Sequence, residues 1–185
     1  MGHAFGLFQV TEPWYTTRQT MTTNELDLDI FFMRMALREA VAAGDDGEVP
    51  IGAVLVRDET VLGKAHNQVE RLRDPTAHAE ILAITQACQA LGDWRLTNTT
   101  LYVTKEPCPM CAGALALARI PRLVYGIADP QRGGAGTVFQ IPNHPGMLHH
   151  IEITSGILAD ACRDVIQQFF RARRRDSTGK TTPER

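Results

Sequence analysis

Four side chains constrain how this chain can fold more tightly than its composition does. His78 and Glu80 stand at the start of one apolar-periodic segment, and Cys108 and Cys111 stand at the start of another. In the first segment Ala77, Ile81, Ile84, Cys88 and Leu91 recur at a spacing of three or four up to Gly92, which predicts an amphipathic helix. The second, Pro109 to Ala118, opens with a proline suited to a first helical turn. Cys108 and Cys111 are spaced so that one turn delivers two thiolates to one tetrahedral ion, and a helix N-terminus favours their ionised form. Leu101 to Thr104, a short apolar run between the helices, reads as a buried strand. For His78 to join the cysteines on one ion, two helix N-termini must meet across that strand.

The remaining segments supply a frame for that meeting. Ile30, Met33, Leu37 and Val41 predict a helix over about 29–43, stopped at Gly44. Ile51 to Arg57 and Val61 to Ala65 flank the polar turn Asp58-Glu59-Thr60 and predict a hairpin, and Leu123 to Ile127 predicts another strand. Leu158, Cys162, Val165 and Phe169 predict a last helix ending in the basic run Arg171 to Arg175. Residues 129–150, rich in Gly, Pro and His, predict a loop with one short element near Val138, and a loop of that length in a compact domain usually carries function. The expected organisation is a loose extension over 1–25, one domain over 26–175 and a polar tail over 176–185.

Composition narrows the class. With 44% hydrophobic residues the chain can bury a core, and no window approaches the ~20 apolar residues of a membrane helix. No basic start and apolar stretch marks a secretory leader, so a cytoplasmic location without membrane attachment is expected. A net charge of −2, from 19 Lys+Arg against 21 Asp+Glu, argues against a protein that coats nucleic acid nonspecifically. Cys88 and Cys162 stand alone in helical patterns and read as core thiols, leaving Cys108 and Cys111 as the reactive pair.

A Cys-x-x-Cys pair is often half of a four-ligand structural site or a redox couple. Here no second pair completes a structural site, and a redox couple explains neither His78 nor Glu80. The set is similar to the zinc deaminase signature, in which one His and two Cys hold the metal and the Glu is the general acid/base. Three protein ligands leave a fourth position for water, as in catalytic zinc sites. Asp74 or Thr76 is the expected cap of the helix that brings in His78. On a regular helix Glu80 would stand roughly 200° from His78, so the ion is expected off the helix end, beyond both residues. His144, His149 and His150 lack ligand spacing and read as surface residues, and the Arg171 to Arg175 run reads either as a solvated helix end or as a phosphate grip.

Over about residues 28–175 the chain resembles the tRNA-specific adenosine deaminases of the cytidine-deaminase-like family. The resemblance rests on Glu48-Val49-Pro50-Ile51-Gly52-Ala53-Val54, on Asp74 to Glu80, and on Glu106-Pro107-Cys108-Pro109-Met110-Cys111-Ala112-Gly113-Ala114. Gly133 to Thr137, His144-Pro145-Gly146-Met147, Gly156-Ile157-Leu158 and Phe169-Phe170-Arg171 extend it. The chain departs from the family pattern at Ala128, Leu148 and Gln68-Val69. The resemblance implies an α/β fold of three layers around a five-stranded mixed sheet, a homodimer, one zinc per subunit, and conversion of the wobble adenosine of a tRNA anticodon to inosine. His78, Cys108 and Cys111 would ligate the metal, Glu80 would shuttle protons, and Asn67 would hydrogen-bond the base. Val49 and Ala79 would line the pocket, and Asp129 would meet the backbone of the anticodon stem-loop. A deaminase of a free base such as guanine is the alternative, and an inactive zinc-stabilised subunit is the rival outside catalysis.

Overall fold

The apolar runs become strands whose neighbouring residues face opposite ways, because side chains alternate along a strand. The computed structural model describes residues 22–178. Strands β1 (Gly52–Arg57), β2 (Thr60–His66), β3 (Thr100–Lys105), β4 (Arg122–Ile127) and β5 (Glu152–Ser155) form one sheet in the order β2-β1-β3-β4-β5. β1 runs antiparallel to β2 and β3, and β3, β4 and β5 run parallel.

Five helices complete the described chain: α1 (Thr23–Asp45), α2 (Val69–Leu72), α3 (Ala79–Leu91), α4 (Pro109–Leu117) and α5 (Ala159–Thr178). Ala53, Leu55, Leu101, Val103, Leu123 and Tyr125 share one core with Ala83 and Ala87 of α3 and Leu115 of α4. Val54, Val56, Tyr102 and Val124 share the other with Phe32, Met33 and Ala36 of α1 and Cys162 of α5. The result is the expected three-layer arrangement, with the central strands buried on both faces. Each large aliphatic side chain so enclosed stabilises the fold by about 1.5–3 kcal/mol.

Three boundaries move. The first helix starts at Thr23, ahead of both the predicted start at 29 and the domain boundary at 26, because Thr22 and Glu25 form a capping box. The Glu25 N–H donates to Thr22 Oγ1 at 3.3 Å and the Thr22 N–H to Glu25 Oε2 at 3.1 Å. At the other end α5 continues through Thr178, so the boundary expected at 176 falls inside a helix. Most of the expected extension (1–21) and of the tail (179–185) lies outside the described residues. β5 has only four residues, too few for a pattern to show, and the short α2 likewise carries no apolar period. Near Val138 the short element is an isolated bridge between Ala135 and Gln140.

Strand direction positions the site. Gly52 pairs with His66, Ala53 with Val103, and Lys105 with Ile127, so the start of β1 and the ends of β2, β3 and β4 lie along one edge of the sheet. Residues 48–51, 67, 105–111 and 128–137 leave from that edge, where α/β sheets bind their ligands.

Candidate metal centre and pocket

The helices that were expected to converge do so through their first residues. His78 is the N-cap of α3, with extended backbone (φ −73, ψ 152), and Cys108 is the N-cap of α4 (φ −69, ψ 171). Neither Asp74 nor Thr76 caps α3. Asp74 Oδ1 instead accepts from the Thr76 N–H at 2.8 Å and the Thr76 hydroxyl at 2.7 Å, a local turn that aims the chain into the helix. Since His78 lies outside the helical backbone, the angular conflict with Glu80 does not arise.

His78 Nδ1 lies 3.6 Å from Cys108 Sγ and 3.4 Å from Cys111 Sγ, and the three donor atoms fall within 4.8 Å of one another. Metal–ligand lengths of ~2.0–2.3 Å at tetrahedral angles put an imidazole nitrogen and a thiolate sulfur about 3.6 Å apart, so the donor set fits zinc. Among the described residues no other group of histidine, cysteine and carboxylate side chains converges in this way. Hydrogen bonds from Cys111 and then His78 carry the Cys108 thiol down to about 4 against its burial. The same bond to Cys108, together with burial and the nearby Glu80, pushes Cys111 up. Contact with Cys108 raises His78, while the charge of Arg132 acts in the opposite sense.

Glu80, on the first turn of α3, is 4% exposed. Desolvation pushes its carboxyl above the usual range, opposed by its own backbone N–H and by His78. It lines a pocket of about 250 Å³ with Val49, Asn67, His78, Cys108 and Asp129. A poised carboxyl beside a three-ligand metal set in a shared cavity is the arrangement for proton transfer at a metal-activated centre.

Residues 27–174 match the family model of the MafB19-like deaminases. The chain is 45% identical over 155 residues to the tRNA-specific adenosine deaminase of Bacillus subtilis (strain 168), covering 84% of this chain and 93% of that protein. It is 46% identical over 145 residues to the protein of the same name from Agrobacterium fabrum (strain C58), covering 78% and 95%. The chain belongs to the tRNA-specific adenosine deaminase family. A solved structure from work on A-to-I editing by tRNA:A34 deaminases at the wobble position matches with a TM-score of 0.71 and 45% identity, over 73% of this chain and 98% of that one. NE0047 in complex with 2,6-diaminopurine, at 23% identity and a TM-score of 0.64 over 76% and 80% of the two chains, shares the fold.

Within this member of the tRNA-specific adenosine deaminase family, the pocket walls hold surprises for a reader of the sequence. Asn67 is buried, and its Nδ2 donates to Glu48 Oε2 at 3.0 Å while Glu48 Oε1 accepts from the Arg71 N–H at 2.8 Å. A carboxylate only accepts, so Glu48 leaves Asn67 Oδ1 as the atom free to read a substrate. Asp129, expected to meet the anticodon backbone, lines the pocket and turns its carboxylate to Lys105 Nζ at 2.7 Å and the N–H groups of Gln131 and Arg132. Burial raises its pKa, but Lys105 and the N–H groups of Gln131 and Arg132 together more than offset that, so the carboxyl stays below the usual range. Ala79 is a correction: it is fully buried in the core beneath α3 and does not line the pocket, because the first helical residue after His78 points at the sheet. Ile166, Phe170 and Arg173 of α5 do line it, so of the basic run only Arg173 faces the site. Glu48 and Glu106 were legible only as members of motifs; acidic residues bordering apolar runs were the signal that they would be buried and bonded.

Proposed function

We propose that this protein deaminates adenosine to inosine by zinc-dependent hydrolysis at the wobble position of a tRNA anticodon. The observation that carries the reading is the buried Glu80 in one pocket with the donor set His78, Cys108 and Cys111, in a chain of this family. Those three side chains would hold one zinc per subunit, which supplies Lewis acidity and lowers the pKa of a water at its open position.

The chain's own groups do the rest. The Glu80 carboxylate takes a proton from the attacking water and delivers it to N1 of the adenine, then takes the remaining proton from the new C6 hydroxyl and passes it to the amino group, which leaves C6 as ammonia while the C6 carbonyl forms. A C6–O bond forms and the C6–N bond breaks. Asn67 Oδ1 accepts from the nucleoside, Val49 forms part of the wall, and Asp129 anchors the loop after β4 at the pocket mouth. An anticodon loop offers an unstacked base at lower cost than a duplex.

A deaminase of free guanine would use the same donor set. Phe170, 42% exposed, together with Arg173 and Arg132 at the pocket lining, supports a polymer substrate. Purified zinc-loaded protein incubated with transcribed tRNA-Arg is expected to give A-to-G reads at the wobble position and no turnover of free guanine; the reverse result overturns the reading.

The assembly is read as a homodimer. The support is an apolar groove over α3 and α4 lined by Ile84, Trp94, Leu117, Met147 and Leu148, of which Leu117 is 76% and Leu148 91% exposed. Exposed apolar surface of this kind is usually covered by a partner. Leu117→Glu is expected to yield a monomer in analytical ultracentrifugation, and a wild-type monomer would remove the assignment. Among the described residues no helix is long and apolar enough to cross a membrane. The functional reading places the protein with its tRNA in the cytoplasm.

A further inference from the structure

Along the wall formed by the loop after β4, one cation stands apart. Lys105 is paired with Asp129 at 2.7 Å, and Asp129 Oδ1 also accepts from the N–H groups of Gln131 and Arg132. Glu106, 3% exposed, accepts from the N–H groups of Asp129, Ala135 and Thr137 at 2.9, 3.1 and 3.0 Å. Arg132 lines the same pocket as Glu80 and Asn67, and among the described residues its guanidinium has no ion-pair or hydrogen-bond partner.

Its backbone, by contrast, is rigidly held. The Gly133 N–H donates to Asp129 O at 2.9 Å and the Gly134 N–H to Pro107 O at 2.7 Å. A Cβ at Gly134 would come 2.8 Å from the carbonyl carbon of Cys108, and one at Gly133 would collide with the Glu106 carboxylate. The loop therefore lies against Cys108 of the metal set, and the base of Arg132 is placed relative to the reacting centre. An anchored arginine with free donors at the wall of a nucleoside-sized pocket matches the bidentate geometry of a phosphate.

We propose that Arg132 is a substrate-binding, specificity-determining residue whose guanidinium takes the phosphodiester adjacent to the target nucleotide. This rests on the deaminase reading above. The group selects a nucleotide embedded in a chain over a free base, because a free base carries no phosphate.

The test is steady-state editing of an anticodon stem-loop RNA by zinc-loaded wild type, Arg132→Ala, Arg132→Lys and, as a surface-charge control, Arg57→Ala. Loss of one charge-assisted contact should raise KM about tenfold in Arg132→Ala and leave kcat within about twofold. The plot of log KM against log salt should become shallower by about 0.7, the value for one single-strand phosphate. Arg132→Lys should restore the slope and only part of the affinity, while Arg57→Ala and the zinc content of every variant should match wild type. If Arg132→Ala keeps the KM and salt slope of wild type, or loses kcat together with zinc, the proposal is overturned and the functional reading stands. If wild type turns over free guanine and leaves the stem-loop unedited, the functional reading falls and takes this proposal with it.

Discussion

Two kinds of helix start coexist in this molecule. α1 begins at Thr22, whose side chain accepts from the Glu25 N–H while Glu25 reaches back to the Thr22 N–H. α3 and α4 begin at His78 and Cys108, and neither makes a side-chain cap. A polar cap is worth about 0.5–2 kcal/mol, so the two helices beside the pocket forgo stability that the distant one collects. The difference separates residues chosen for the fold from residues left available to a metal.

The sharpest way to break that comparison is at Glu80, beside an uncapped start but assigned to proton transfer and not to ligation. Glu80→Gln is expected to lower editing by about 10⁴ or more with zinc content unchanged, measured by inosine sequencing and metal analysis. Near-normal turnover, or loss of zinc, would remove it from that role. Next in size is the metal itself: Cys108→Ala with Cys111→Ala should leave the protein without zinc, whereas Cys88→Ala should retain it, and equal zinc in the two would refute the donor set. Glu106→Gln turns an amide toward backbone N–H donors and should cost about 1–3 kcal/mol in urea unfolding, with weakened RNA binding as the loop loosens. Unaltered stability would show that the loop is held by other contacts.

The comparison sharpens in the metal-free protein. Cys108→Ser places a capping hydroxyl where none exists and should exceed Cys108→Ala in stability by about 0.5–2 kcal/mol, while both lack high-affinity zinc. Thr22→Ala should cost about 1 kcal/mol and change neither zinc content nor editing. If Cys108→Ser gained nothing, the uncapped start would be a feature of that backbone and not a sacrifice to the site.

Legibility follows the range of the interaction. His78, Glu80, Cys108 and Cys111 could be read because each pair lies within one helical turn, and the hairpin because its turn is local. The capping box of Thr22 and Glu25 is equally local, but the apolar period begins later and by itself marks a later start. β5 could not be read, since its four residues acquire strand character by pairing with Tyr125 and its neighbours. The expectation for Asp129 is a contact with the anticodon backbone; that its carboxylate pairs with Lys105, at the end of a different strand, is a tertiary outcome with no local mark. Ala79 faces the core and not the pocket, because which way a first-turn methyl points depends on how α3 sits on the sheet.

The sequence by itself determined the reactive set, the helix starts that carry it and the alternation of strand and helix, all written in spacings of a few residues. Tertiary structure alone decided that the start of β1, the ends of β2, β3 and β4, and the α5 face of Ile166, Phe170 and Arg173 share one pocket. It also decided that Glu48 orients Asn67, that Glu106 pins the loop, and that Arg132 has no partner among the described residues. Those outcomes depend on strand direction and register, which set distances between residues far apart in the chain and leave no local mark on any of them.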